Sequence, residues 1–191
     1  MTEHTSRTVF CHLKSQTGKH LPWVRKKGLF RLLGGDRPQD IGDCQLLTLP
    51  CPDGVGGTEE ELQESFCADP VAAQYADALF GFDSVLSFQQ TCLPDAEPAD
   101  DICLLHAMVL TAPWRGQGLG AKALLEIERA LCLEAPTVIL IKPFPIPAVG
   151  LSPAGIEQAK RHLSRFYQTQ GYTPLAHARG YLAKVADPAD L

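Results

Sequence analysis

A chain of 191 residues that is 45% hydrophobic and 20% charged has the composition of a globular protein with one sizeable core, so one domain over 1–191 is expected. Its formal net charge of −5 argues against nucleic acid as the main partner. The seven cysteines form no C-x-x-C pair and are odd in number, which argues against a disulfide framework or a zinc site and leaves small core residues in a reducing compartment.

The opening segment MTEHTSRTVFCHLK has no signal-peptide layout. No window approaches the ~18 consecutive apolar residues of a membrane span. No membrane partner and a cytoplasmic location are therefore expected. Thr8–Leu13 alternates as a first strand. His20–Leu33 mixes basic and apolar residues at near-helical spacing, against which Pro22 and Gly28 weigh. Asp43–Leu49 reads as a strand stopped by Pro50. After a glycine-rich loop, Thr58 and Glu61 have capping-box spacing, and the stretch to Phe80 reads as one helix broken at Pro70 or two short ones. Ser84–Cys92 reads as a strand, and the acidic, proline-bearing Leu93–Asp101 as a loop.

The second half is more sharply patterned. Ile102–Thr111 is nearly continuously apolar, as in a central strand covered on both faces. Leu119–Leu133 puts Leu119, Ala123, Leu124, Ile127, Ala130 and Leu131 on one helical face. Thr137–Lys142 is a β-branched buried strand that runs into Pro143, Pro145 and Pro147. Ser152-Pro153 opens a helix to about Gln170, with Gly171 as its C-terminal glycine. Tyr172–Ala176 and Tyr181–Val185 are closing strands around His177-Ala178-Arg179-Gly180. Strands and helices alternate, so the class is α/β or α+β around a mixed sheet.

Between the central strand and its helix lies Arg115-Gly116-Gln117-Gly118-Leu119-Gly120. Glycines opening a helix leave backbone N–H groups uncovered at the positive end of the helix dipole, a phosphate-binding arrangement. A nucleotide P-loop fails, because Ala121 stands where Lys would follow Gly120. A dinucleotide fingerprint matches poorly, because the spacing is G-x-G-x-G. A bare tight turn remains an alternative on this segment alone.

More of the chain enters a third reading. Met108-Val109-Leu110 followed by Arg115–Gly120 resembles the acetyl-CoA motif of the GNAT superfamily of N-acetyltransferases, a hydrophobic strand followed by R/Q-x-x-G-x-G/A and a helix. Phe166-Tyr167-Gln168-Thr169-Gln170-Gly171-Tyr172 is similar to the family's F-Y-x-x-x-G-F/Y segment. The resemblance covers roughly Ile102 to Val185 and makes 101–187 the coenzyme-binding core, while 1–100 is divergent and lies on the acceptor side. It implies a mostly antiparallel sheet flanked by helices, with one parallel central pair splayed apart at a bulge. It implies acetyl-CoA as co-substrate, with no metal, held by Met108, Val109, Leu110, Arg115, Gly116, Gln117, Gly118, Leu119, Gly120 and Ala121. The pyrophosphate would lie on the amides of the turn, and the pantetheine amides between Ala107–Leu110 and Ile139–Lys142.

The same resemblance puts Tyr167 opposite the coenzyme sulfur as the acid. Leu105-His106-Ala107-Met108 is similar to a segment of the serotonin N-acetyltransferase branch and gives His106 as base. His106, Met108 and Leu110 share a strand face by period two. A structural role for His106, or a base role for Asp100, Asp101 or water, stays open. Cys103 has no activating neighbour in sequence. His162 and His177 read as exposed. The family's asparagine seven residues before the tyrosine is here Lys160, which with Arg161 either meets phosphate or faces solvent. The acceptor expected is a primary amine of a small molecule or peptide, and a homodimer stays open. Two rivals are a non-catalytic acyl-CoA-binding regulatory module and a toxin-type acetyltransferase of charged tRNA, the latter disfavoured by the chain's acidity.

Overall fold

The computed structural model describes residues 8–17, 24–33, 37–50, 69–79, 85–96, 99, 101–132, 136–146 and 148–190. Three long strands come first: β1 (Thr8–Thr17), β2 (Val24–Leu33) and β3 (Gln39–Pro50). A single 3₁₀ turn at Ala72–Tyr75 runs into the short α1 (Ala76–Leu79), and α2 (Val85–Cys92) follows. Then come β4 (Asp101–Leu110), α3 (Leu119–Leu131), β5 (Thr137–Ile141), α4 (Pro153–Thr169), β6 (Thr173–Pro174) and β7 (Leu182–Ala186). The seven strands form one mixed sheet in the order β1-β2-β3-β4-β5-β7-β6. Only β4 and β5 are parallel; the other neighbouring pairs are antiparallel.

Alternating side chains divide the core between the two faces of the sheet. Ile102, Leu104, Val138 and Leu140 pack with Tyr75, Ala78 and Phe88 from the first helical segments. Cys103, Leu105, Ile139 and Ile141 pack on the other face with Leu119, Ala123, Leu124 and Ile127 of α3 and with Tyr167 of α4. All five residues of β5 are buried, as both-face coverage requires. Glu128 of α3 is buried too; it accepts hydrogen bonds from Lys184 Nζ at 2.9 Å and Tyr172 Oη at 3.0 Å, which satisfy the carboxylate.

Two expectations are overturned. His20–Leu33 is not helical where it is described: Val24–Leu33 is a strand. Phe30 and Leu32 alternate inward, and Gly28 is required where β2 crosses its neighbours, since a Cβ there would land on Cys44 Sγ. Ser84–Cys92 is not a strand: Val85–Cys92 is a helix. Phe88 and Leu93 both enter the core, and Gln89 turns its amide on the following loop, donating to the Ala96 carbonyl and accepting from the Ala99 N–H. Tertiary burial outweighs the alternation of the sequence. The capping-box start at Thr58 and Glu61 lies outside the described residues. From Asp69 on, the segment is the 3₁₀ turn and α1, and Asp69 Oδ1 accepts from the N–H groups of Val71 and Ala72. The limits expected for the strands β4 and β5 and the helix α3 agree with the structure to within two residues. Ser152 caps α4 by accepting from Gly155 N, and Gly171 follows it at φ 90°.

Candidate functional site

The site begins with one extra residue. Gln45 pairs with Ala107 and Leu46 with Leu105, so His106 is a bulge in β4. The parallel pairing of β4 with β5 ends one residue earlier, at Leu105 and Ile141. β5 ends at that point, and β4 runs on for five residues beyond it. Thr111 N–H donates to Ile41 O of β3 at 2.9 Å. By strand alternation Leu110 and Met108 therefore aim their N–H groups at the opposite, unpaired edge.

The opening is a cavity of about 550 Å³. One wall is Leu105–Leu110 of β4 with Arg115; another is the end of β5 and the loop through Ile146; the third is the inner side of α4 with His162, Leu163 and Tyr167. The proline-bearing loop makes the cavity mostly apolar, while the free edge of β4 supplies its main-chain polar groups.

At the far end of β4 the chain turns into α3. Gly116 and Gly118 have φ of 73° and 74°, in the left-handed region that disfavours side chains. Gly118 is the N-cap residue of α3, and no side chain caps the helix. A Cβ on either glycine would meet nothing within 4 Å, so the main chain there is open to a ligand. Gly120 lies under the Phe166 ring, 3.5 Å from where its Cβ would stand, which ties the first turn of α3 to α4. Arg115 Nε donates to Leu110 O at 2.7 Å, and Gln117 Nε2 to Pro113 O at 2.7 Å, so these two side chains brace the turn.

Of the residues singled out in the sequence, His106, Met108, Val109, Leu110, Arg115 and Tyr167 come together around the cavity. Gly116, Gln117, Gly118, Gly120 and Ala121 lie on the adjoining turn and first helical residues and do not line it. Leu119 is a buried core residue, so only its main chain is open to a ligand. Asp101 is the first residue of β4, at the end where β4 and β5 are still paired, and takes no part in the cavity. Asp100 lies outside the described residues. Cys103 is buried, which pushes its thiol up to about 12.

The common face expected for His106, Met108 and Leu110 is corrected by the bulge. Leu105 and Met108, three residues apart, pack against the same cluster, so the alternation inverts across His106. His106 is set apart from Met108 and Leu110, and the charges that act on it are Arg25 and Asp69. Arg25 and Asp69 form an ion pair at 2.5 Å, the carboxylate being fully buried. Burial, and after it Arg25, hold the His106 imidazole below its ordinary value, and Asp69 partly offsets them. That direction favours the neutral ring.

Tyr167 is edge-on to Phe166 and Tyr172, with ring centroids 5.1 and 5.7 Å away. Burial pushes its hydroxyl up to about 12, so the proton stays on at neutral pH. The Arg25–Asp69 pair was not foreseen, and neither was the place of His162 in the cavity wall or of the Lys142 side chain, a residue expected there only as strand backbone. Lys142 Nζ donates to Tyr181 Oη at 2.8 Å, and Tyr181 Oη donates in turn to Gln74 O. No sequence motif marks them: Arg25 lies in a strand that reads as a helix, and Asp69 just before the proline that breaks the helix expected there.

Among the described residues no three His, Cys, Asp or Glu side chains gather as a metal site, and no helix is long and apolar enough to cross a membrane. No protein-family model matches the chain, and neither the curated proteins nor the solved structures hold a match to it.

Proposed function

We propose that this chain is an N-acetyltransferase of GNAT type, transferring acetyl from acetyl-CoA to a primary amine. The observation that carries the reading is the stretch of β4 from the His106 bulge to Leu110, which outruns β5 and leads into the glycine turn. That combination suits a ligand with a diphosphate at one end and an amide-bearing arm at the other. Left-handed glycines with open space above them, and an uncapped helix N-terminus, fit the diphosphate. The free β4 edge at Met108 and Leu110 fits the arm by adding hydrogen bonds as a strand would.

Acetyl-CoA supplies the acyl group as a thioester, activated toward amines. The residues of the chain supply the proton transfers. His106, biased by burial toward its neutral form, takes a proton from the attacking amine, directly or through a water. The C–N bond forms as the C–S bond breaks. A main-chain N–H of the free β4 edge donates to the carbonyl oxygen as negative charge develops on it. Tyr167 gives its proton to the departing sulfur and regains one from solvent. No covalent link to the enzyme is needed.

The test is a panel of primary amines incubated with acetyl-CoA, following CoA release. Release that depends on the amine and is lost in His106→Ala supports the reading. Acetyl-CoA binding with no turnover on any amine would leave a coenzyme-binding module, and no binding would refute both.

A further inference from the structure

A second hollow of about 630 Å³ lies beyond β5, between the outer side of α4 and the turn joining β6 to β7. Lys142, Lys160, Arg161, Arg165 and Arg179 line it, against one carboxylate, Glu157. A chain of formal net charge −5 thus gathers five of its 17 lysines and arginines in one groove. Two of the cations are engaged: Lys142 with Tyr181 Oη, and Lys160 with Glu157 at 2.7 Å. No ion pair with a described residue engages Arg161, Arg165 or Arg179. Gathering like charges is unfavourable unless an anion is to be held, and guanidinium groups match the paired oxygens of carboxylate and phosphate.

The position of the groove says which molecule brings that anion. Groove and cavity share Lys142, Pro143 and Phe144, so the two adjoin at the end of β5. The glycine turn follows β4, which lines the cavity across from the end of β5. A donor anchored at the turn enters from the β4 side and leaves the β5 side to the acceptor.

We propose that the groove of Arg161, Arg165 and Arg179 holds a phosphate or carboxylate of the acceptor, so that the substrate is an amine carrying an anionic group. The inference rests on the acetyl-transfer reading for the word acceptor, and on the groove alone for the anion.

Calorimetric titration of the full chain tests it, with O-phosphoethanolamine and 4-aminobutyrate as anionic amines and ethanolamine as the uncharged-tail control, each with and without saturating CoA. The anionic amines are expected to bind saturably and about tenfold or more tighter than ethanolamine. The Arg165→Ala/Arg179→Ala variant should weaken them about tenfold and leave CoA affinity within about twofold, with unchanged melting because both side chains are exposed. Equal binding of ethanolamine, or indifference to the double variant, overturns the proposal. Displacement of the anionic amines by CoA also overturns it, because the groove would then serve the coenzyme's own phosphates. Failure of CoA itself to bind overturns the acetyl-transfer reading instead, and the CoA-free arms still judge the anion groove.

Discussion

Replacing Gly118 separates backbone strain from ligand repulsion. Its φ of 74° costs any L-residue about 1–2 kcal/mol. Nothing lies within 4 Å of the added Cβ, so no steric term joins the strain. At about 2–4 °C per kcal/mol for a domain of this size, Gly118→Ala should lower Tm by about 2–8 °C. Such a loss leaves the protein folded, against a typical stability of about 5–15 kcal/mol. Ala retains the amide, so acetyl-CoA affinity should stay within about threefold. Gly118→Glu carries the same strain, partly offset because a carboxylate at a helix N-terminus complements the dipole. Against a diphosphate it adds repulsion of about 3 kcal/mol for charges ~5 Å apart at an effective dielectric of about 20. That is about a hundredfold in affinity. Calorimetry with acetyl-CoA on both variants, alongside thermal melts, is the assay. Wild-type affinity in Gly118→Glu would refute the cradle. An equal loss in both variants would assign the effect to the backbone and not to charge.

Three other outcomes follow from the same geometry. Tyr167→Phe should lower kcat by tenfold or more, of the order of a general-acid contribution of about 10²–10⁴, and change KM for acetyl-CoA little; an unaltered kcat removes the hydroxyl from the chemistry. Arg25→Gln removes a positive charge that holds the His106 imidazole down, so the acidic limb of kcat/KM, below 6.5 in the native chain, should move to higher pH, as NMR titration of His106 can follow. The sign for stability is the same: with its folded value depressed, His106 favours folding above the unfolded value of about 6.5 and loses that contribution as pH falls toward the folded value. Gly42→Ala should cost about 3 kcal/mol or more by thermal melt, because its Cβ would land on the Val109 carbonyl oxygen with Leu110 Cα 2.9 Å away, and a strand backbone cannot rotate aside; a neutral result would mean that β3 and β4 are not so closely apposed.

What could be read in the sequence followed how locally each feature is encoded. β4, α3, β5 and α4 were legible because period, caps and glycines all point one way: a continuous apolar run, an amphipathic stripe, a β-branched run, and a Ser-Pro start with a glycine end. β2 and α2 were not. The apolar positions of Val24–Leu33 fit two periods about equally, and only the neighbouring Cys44 and Leu46 decide between them. Ser84–Cys92 alternates on paper, yet it is held as a helix by what Phe88 and Gln89 touch. The site divides likewise. The glycine turn and Tyr167 carry local signatures, whereas the Arg25–Asp69 pair joins residues 44 positions apart and is invisible until the chain is folded. The bulge escaped because an inserted residue leaves no mark on composition; it shows only when β4 is laid against β3.

The bulge also binds two properties into one codon. The residue at which β4 slips register against β3 is the same histidine proposed to take the amine proton, so one position would carry both the local geometry and the base. Excising position 106 would place Ala107 directly after Leu105 in an unbroken ladder with β3, and would remove the proposed base in the same change. Swapping the imidazole for an alanine would keep the backbone shift and lose only the proposed base.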